Sequence, residues 1–431
     1  MTFITHLPEA WQEHWRASGF SEPSMIQEKS FTHLKEKENV LGISPTGSGK
    51  TLAYVLPLLL NVEKNQGSQL LILAPSQELG MQIGQVVREW AALLQLKTQT
   101  LIGGANTSRQ IEKLKKKPEI LVGTPGRILE LIKTKKIKSH LLQTIVMDEV
   151  DQLFHEKELN LTKQILTSAP KEFQLVFYSA TADRVAEEAQ KLTEKLTVLD
   201  VTKDDRSAGK VTHYFMALSP RKKSDYLRSL AYTSDFRGMV FFNQVADLGS
   251  VEEKLIYEGL SVVGLASDQN KSLRKLAIDQ FSKQRAVMLL TTDIAARGLD
   301  FDKIPFVINA DVPLSEESYI HRAGRVGRMG ADGSVITFVN DATKRDFQRL
   351  MKKIELPAQE IFLYDGALHL TRKEKSQTEE KMTKSSAVPQ KETIVTPPVK
   401  ERVVKGKKDR KRTKTKALDG NRLNQNKNVV I

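Results

Sequence analysis

The chain of 431 residues contains no cysteine. That excludes a disulfide framework and any cysteine-ligated zinc or iron–sulfur site. Histidine is sparse, eight residues scattered without an HExxH or comparable spacing, so a dedicated transition-metal site is not expected. Long apolar runs are missing as well. The longest, residues 52–60, covers nine positions and includes Pro57, whereas a bilayer-crossing helix needs about 20. Residues 1–19 carry Glu9, Glu13 and two histidines among their apolar positions and lack a signal-peptide pattern. The absence of cysteine agrees with a reducing compartment. A soluble, cytoplasmic protein of two or three domains is expected, at roughly 100–200 residues per domain.

What the chain does have is positive charge: 66 Lys+Arg against 52 Asp+Glu, a net +14. Such an excess points to nucleic acid without saying which kind. It is unevenly spread. Residues 371–431 hold 18 Lys+Arg against 7 Asp+Glu, so +11 of the +14 lies there and the first 370 residues are nearly neutral at +3. With almost no long apolar run and a basic block at 405–416, this stretch cannot bury enough surface to offset its ordering entropy and is expected to be a disordered tail. Before it, short apolar runs alternate with helical patterns, the rhythm of an α/β chain with parallel sheets. Expected strands are 39–43, 69–74, 119–122, 144–147 and 174–178, then 238–242, 261–265, 286–290, 306–309 and 334–338. The break between the two sets gives a first domain over 1–202, a hinge at 203–210, a second domain over 211–366 and a tail over 367–431.

The most specific segment is 44–51, Ser-Pro-Thr-Gly-Ser-Gly-Lys-Thr, between an apolar strand and a helical run. Gly47 and Gly49 let the backbone wrap phosphates, together with Thr46 and Ser48, and the helix that follows adds its N–H groups and positive dipole end. Lys50 would reach the β/γ-phosphates and Thr51 would ligate Mg²⁺. Ser44 stands where GxxxxGK[ST] begins with glycine. The strand 144–147 then ends in Asp148-Glu149-Val150-Asp151, placing carboxylates at the C-terminal edge of a parallel sheet. Asp148 can hold Mg²⁺, and Glu149 can orient or deprotonate the water that attacks the γ-phosphate.

With these motifs the chain resembles the DEAD-box family of ATP-dependent RNA helicases over nearly all of residues 1–365. The resemblance implies two tandem RecA-like domains separated by a cleft, and it gives roles to further residues. Gly19-Phe20 with Pro23-Ser24 and Ile26-Gln27 looks like the adenine motif, Phe20 stacking on the base and Gln27 bonding its edge. Ser179-Ala-Thr181 looks like the element linking hydrolysis to strand separation, together with Asp151. In the second domain, Asp293, Arg297 and Asp300 fall in TTDIAARGLD, and His321, Arg325 and Arg328 in HRAGRVGR. Arg325 and Arg328 would be arginine fingers, Asp300 would contact the ribose, and Asp293 with His321 would couple the nucleotide cleft to the RNA side. RNA-backbone contacts fall to Pro75, Ser76, Gln77, Gly103, Gly104, Thr124, Pro125, Gly126 and Arg127, and to Asn243, Arg274, Thr291 and Thr292 in the second domain.

Some positions depart from the family pattern: Gln77 for arginine, Val150 for alanine, Lys271 for glutamine and Val326 for a small polar residue. Gln77 removes a positive charge near the RNA path, so a 1–370 fragment is expected to bind RNA more weakly than the tailed chain. The leading expectation is an RNA-dependent ATPase, using ATP and Mg²⁺, that unwinds or remodels structured RNA as a monomer. The resemblance makes ribosome assembly, cold adaptation and mRNA turnover its candidate settings. Two alternatives stay open: an ATP-gated RNA clamp or scaffold without productive unwinding, and a DNA helicase of the same superfamily.

Overall fold

A computed structural model describes residues 3–181, 185–202, 209–234, 236–266, 268–296, 298–299, 301, 304–327 and 331–372. The first half carries seven strands: β1 (Val40–Ile43), β2 (Leu70–Leu73), β3 (Thr98–Leu101), β4 (Ile120–Gly123), β5 (Thr144–Met147), β6 (Gln174–Ser179) and β7 (Thr197–Asp200). They form one parallel sheet in the order β3-β4-β2-β5-β6-β1-β7. The second half supplies β8 (Val211–Ala217), β9 (Gly238–Phe242), β10 (Val262–Leu265), β11 (Met288–Thr292), β12 (Phe306–Asn309), β13 (Gly333–Val339) and β14 (Gln359–Glu360). Their parallel order is β10-β11-β9-β12-β13-β8-β14.

Successive side chains of a strand face opposite ways, and a parallel sheet is covered on both faces, so its strands are apolar throughout. In β2, Leu70 and Ile72 join one core while Leu71 and Leu73 join another. The second sheet repeats this, with Met239 and Phe241 on one side and Val240 and Phe242 on the other. The two orders match position for position, β1 corresponding to β8 and β5 to β12. The match extends to side chains. Lys50 opens the helix after β1 and Lys223 the helix after β8, while Asp148 follows β5 and Asp311, which ion-pairs with Lys223, follows β12. The halves therefore share one plan, although only the first has glycines in the loop after its first strand.

All ten expected strands exist, with ends shifted by up to two residues. The sequence reading missed β3, β7, β8 and β14, which lie at or next to sheet edges, where one flank needs no apolar partner. The last described element is a hairpin of β15 (Phe362–Tyr364) and β16 (Ala367–His369), so the fold includes three residues that the sequence reading placed in the tail. Beyond residue 372 the tail lies outside the described residues, as do hinge residues 203–208. Among the described residues no helix is long and apolar enough to cross a membrane.

Candidate active site at the domain cleft

The phosphate loop leaves β1 and closes on the helix Lys50–Leu59. Gly47 and Gly49 hold φ of 85° and 83°, in the left-handed region that disfavours any side chain. A Cβ on Gly49 would also lie 2.4 Å from Gln27 Nε2. Ser44, in place of the first glycine, is buried and accepts a hydrogen bond from Ser48 Oγ at 2.8 Å, so the hydroxyl stiffens the loop. Lys50 Nζ donates to Ser44 O (2.7 Å) and Pro45 O (2.8 Å), which places the ammonium in the mouth of the loop.

Gln27 Nε2 donates to Gly49 O (3.2 Å) and its Oε1 accepts from Ser24 N (2.9 Å). The glutamine expected to read adenine thus also fastens the adenine motif to the phosphate loop. Phe20 packs on Trp15 at 4.9 Å between ring centroids and is 40% exposed, leaving a face for stacking.

The carboxylates follow β5. Asp148 accepts from Tyr54 Oη (2.8 Å) and from Glu149 N (2.9 Å). Burial, then the neighbouring Glu149, pushes its carboxyl up to about 6. Glu149 sits at φ 45°, a strained conformation for a side-chain-bearing residue, and its Oε2 is buried without a hydrogen-bond partner. The orphaned, buried Glu149 oxygen beside the buried Asp148 carboxyl is a set of hard oxygen donors that fits Mg²⁺ or a positioned water. The sequence reading overlooked the tyrosines behind them: Tyr54 rests on Tyr178 at 5.2 Å, and Tyr178 Oη donates to Ser30 Oγ at 2.7 Å. The signal was there, Tyr54 standing one helical turn after Lys50. Gly42 is required beneath Tyr178, whose ring would lie 2.5 Å from a Cβ there.

Asp151 carries the site across the cleft. It accepts from Ser179 Oγ at 3.2 Å and lies 2.8 Å from His321 Nε2, while Gln152 Nε2 meets His321 Nδ1 at 2.9 Å. Thr181 N donates to Ser179 Oγ at 3.1 Å, so the small-residue element is tied to the same carboxylate. Burial opposes charge on both partners, yet Asp151 holds His321 above the usual histidine value and His321 holds Asp151 below the usual carboxylate value. Nearby, Thr46 Oγ1 donates to Gly324 O at 3.1 Å. Gln152 and His155 of the first domain and His321, Arg322 and Arg325 of the second line one cavity of about 220 Å³. Arg325 is buried and donates to Leu299 O.

Asp293 lines the same cavity as His321. It takes a two-pronged ion pair from Arg322, at 2.6 and 2.7 Å, and Arg322 is 1% exposed. Arg322 also donates to Asn243 Oδ1 (2.8 Å), Asp311 O (3.1 Å) and Asn309 Oδ1 (3.3 Å). Arg322 is the main residue the sequence reading left without a role, although it is the first of three arginines spaced i, i+3, i+6. Arg297, Asp300 and Arg328 lie outside the described residues, and Lys271 is described only as the start of its helix.

Of the expected RNA contacts, Ser76 caps the helix Gln77–Leu93 through Leu79 N (3.1 Å), and Gln77 Nε2 lies close to Gly103. Gly104 follows with φ 63°, and Pro75 leads into the Ser76 cap. Thr124 and Pro125 open the helix Pro125–Lys133, and a Cβ on Gly126 would meet only open space. Several side chains are already engaged. Arg127 pairs with Glu130 (3.0 Å) and Gln110 (3.0 Å), and Arg274 with Glu78 across the cleft (2.8 Å) and with Ala295 O (2.8 Å). Asn243 serves Arg322 and Val312 O, and Thr291 is fully buried with its hydroxyl on Leu265 O, Thr292 being nearly so. Val150 and Val326 are buried in the two cores, which accounts for apolar residues at those places.

Two family models match the chain: DEAD/DEAH box helicase over residues 24–189 and helicase conserved C-terminal domain over residues 222–330. The probable ATP-dependent RNA helicase YfmL of Bacillus subtilis is 41% identical over 368 residues, covering 85% of this chain and 98% of that protein. The DEAD-box ATP-dependent RNA helicase CshC of Bacillus cereus is 38% identical over 364 residues, covering 84% and 93%. Among solved structures, S. cerevisiae Dbp5 bound to RNA and ADP BeF3 superposes with a TM-score of 0.75 at 28% identity, over 83% of this chain and 95% of that one.

Proposed function

The chain belongs to the DEAD-box family of ATP-dependent RNA helicases, and from that premise we propose how its residues divide the work. It is an RNA-dependent ATPase that unwinds RNA. Lys50, Thr46 and the backbone of Gly47, Ser48 and Gly49 bind the phosphates, while Phe20 and Gln27 take the adenine. Thr51 and Asp148 hold a Mg²⁺ ion, which supplies charge neutralisation at the phosphates when bound. Glu149, with its unpartnered Oε2, orients the attacking water and takes its proton. Arg325 and Arg328 oppose the charge that develops on the transferred phosphoryl group, and Asp300 holds the ribose.

The observation that carries this reading is the contact between Asp151, three residues after Asp148, and His321, one helical turn before Arg325. The carboxylates of one domain and the arginines of the other become a single site only when the domains meet there. Ser179 and Thr181 read that meeting through Asp151, and Asp293, Arg297 and Arg322 carry it to the RNA face. There, loops, backbone amides and hydroxyls grip phosphates and 2′-hydroxyls without reading sequence. The substrate is structured RNA recognised by its backbone. We take the working form to be a cytoplasmic monomer, and its settings to be those in which structured RNA must be opened, ribosome assembly among them.

The test is a short-duplex unwinding assay with ATP and with a nonhydrolysable analogue, run beside RNA-stimulated ATPase. Glu149→Gln should lower turnover at least about 100-fold while RNA binding with ATP persists. Turnover retained in that variant removes Glu149 from the role, and unwinding driven equally by the analogue favours a clamp. Stimulation by DNA as strong as by RNA would overturn the substrate assignment.

A further inference from the structure

At the N-terminal ends of β4, β2 and β5, on the edge of the first sheet away from the phosphate loop, neighbouring loops are fastened together. Ser68 Oγ donates to Pro118 O (2.8 Å), Gln69 N to Glu119 O (2.9 Å) and Gln143 N to Gln69 O (2.8 Å). The fully buried Glu119 carboxylate accepts from Asn65 N (2.9 Å) and Lys97 N (2.7 Å). These loops therefore share one end of the sheet, and that end is rich in lysine. Lys115, Lys116 and Lys117 on one loop and Lys135, Lys136 and Lys138 on another are all exposed, flanked by exposed Lys113 and Lys133. None of these lysines is in an ion pair among the described residues. The acids between residues 111 and 138 are three: Glu119 is consumed inside, Glu130 pairs with Arg127, and Glu112 alone is left.

Helix C-termini favour lysine, and the helices Thr107–Leu114 and Pro125–Lys133 both end here. That effect fades within the last turn, so Lys113, Lys115 and Lys133 answer it. Lys116, Lys117, Lys136 and Lys138 lie beyond, with Lys117 and Lys135 turned at φ 50° and 55°. The surface also lacks apolar anchors: no large hydrophobic residue between 94 and 143 is strongly exposed, so it has nothing to insert into a lipid surface. Lysine amines without arginine forks suit phosphates read as charge.

We propose that this edge is a second RNA-backbone surface, holding the flank of a structured RNA whose single-stranded part occupies the cleft. The proposal rests on the reading of the substrate as RNA. The strands between the two edges are four residues long, about 13 Å before their loops are counted, so an RNA confined to the cleft does not reach the lysines. A helical arm leaving the cleft does. The near neutrality of residues 1–370 thus conceals a local concentration of positive charge on the edge opposite the nucleotide.

The test uses the full chain with Lys115→Glu, Lys116→Glu and Lys117→Glu combined, and separately Lys135→Glu, Lys136→Glu and Lys138→Glu. Two probes are compared: a short single strand that fills only the cleft, and the same strand joined to a long hairpin. Each triple variant should bind the hairpin RNA about tenfold more weakly and lose roughly two units from the slope of log affinity against log salt. Affinity for the short strand and ATPase turnover at saturating RNA should not change. Equal weakening on both probes, or unchanged hairpin binding, overturns the proposal. So does an equal loss from Arg345→Glu, Arg349→Glu and Lys352→Glu on the helix Lys344–Lys353, which would make the effect one of net charge. Binding of the parent to anionic vesicles with no difference between the two RNAs overturns RNA as the occupant. Absence of RNA-stimulated ATPase in the parent chain would instead defeat the functional reading itself.

Discussion

Arg322 shows how much one side chain carries. Its guanidinium joins the ends of β9, β11 and β12 by bonding Asn243, Asp293 and Asn309, and it lies 5.3 Å over the Phe241 ring. Removing one partner of a buried charge pair costs about 3–5 kcal/mol because the other is left uncompensated. Asp293 retains 35% side-chain exposure, and water can recover part of its share. Arg322→Met should therefore destabilise the second domain by roughly 2–4 kcal/mol, seen as a lower midpoint in denaturant at unchanged m-value. Arg322→Lys should recover little of it, since an ammonium cannot fork to Asp293 while reaching Asn243. A midpoint within about 0.5 kcal/mol of the parent would mean that the site relaxes around the loss. The sequence could not reveal this role. The arginine spacing marks a cluster, but whether a member faces a phosphate or the protein interior depends on which strand ends surround it.

Among the elements, the helix Glu316–Ala323 ends at Gly324, whose φ is an ordinary −67°. Backbone freedom therefore does not require glycine, and alanine would fit the conformation. Space does require it: a Cβ would lie 1.8 Å from Thr46 Oγ1 and 2.7 Å from Thr46 Cβ in the opposite domain. Gly324→Ala should leave thermal stability and ATP binding to the first domain nearly unchanged, yet lower RNA-stimulated turnover at least about tenfold by holding the domains apart. Full turnover in that variant would show that Thr46 and Gly324 need not approach during catalysis. The elements that built this junction were legible in advance where burial on both faces makes a strand read as a solid apolar run, as in β2, β5 and β9. β3 escaped, its Thr-Gln-Thr-Leu alternating between partial exposure and burial at the sheet edge. The loops that end the strands were legible too, because glycine and paired carboxylates have few other uses there. Their cross-cleft partners were not, since nothing local in His321 or Gly324 names Asp151 or Thr46.

At the scale of the whole molecule, domain closure should depend on pH through His321. Asp151, Glu149 and Arg325 act on its charge and Gln152 bonds its ring, while His155, Asp293, Glu317 and Arg322 line the same cavity. Burial and Arg325 oppose the imidazolium, and the carboxylates of Asp151 and Glu149 outweigh them, leaving the group above its ordinary value. A histidine raised on closure contributes fully below its open-state value, about 6.5, and loses that contribution as pH climbs through the raised value of the closed form. Asp151, held below the ordinary carboxylate range, stays ionised throughout this window and does not reverse the sign. Closure in the presence of RNA and an ATP analogue, followed by energy transfer between dyes on the two domains, should therefore weaken as pH rises through and above neutrality. In His321→Asn, which removes the titrating group, the dependence should flatten over the same range. A parent whose closure is flat with pH, or a variant that keeps the full slope, would place the proton elsewhere. The expected outcome makes the Asp151–His321 pair the point at which the two sheets, alike in plan, become one machine.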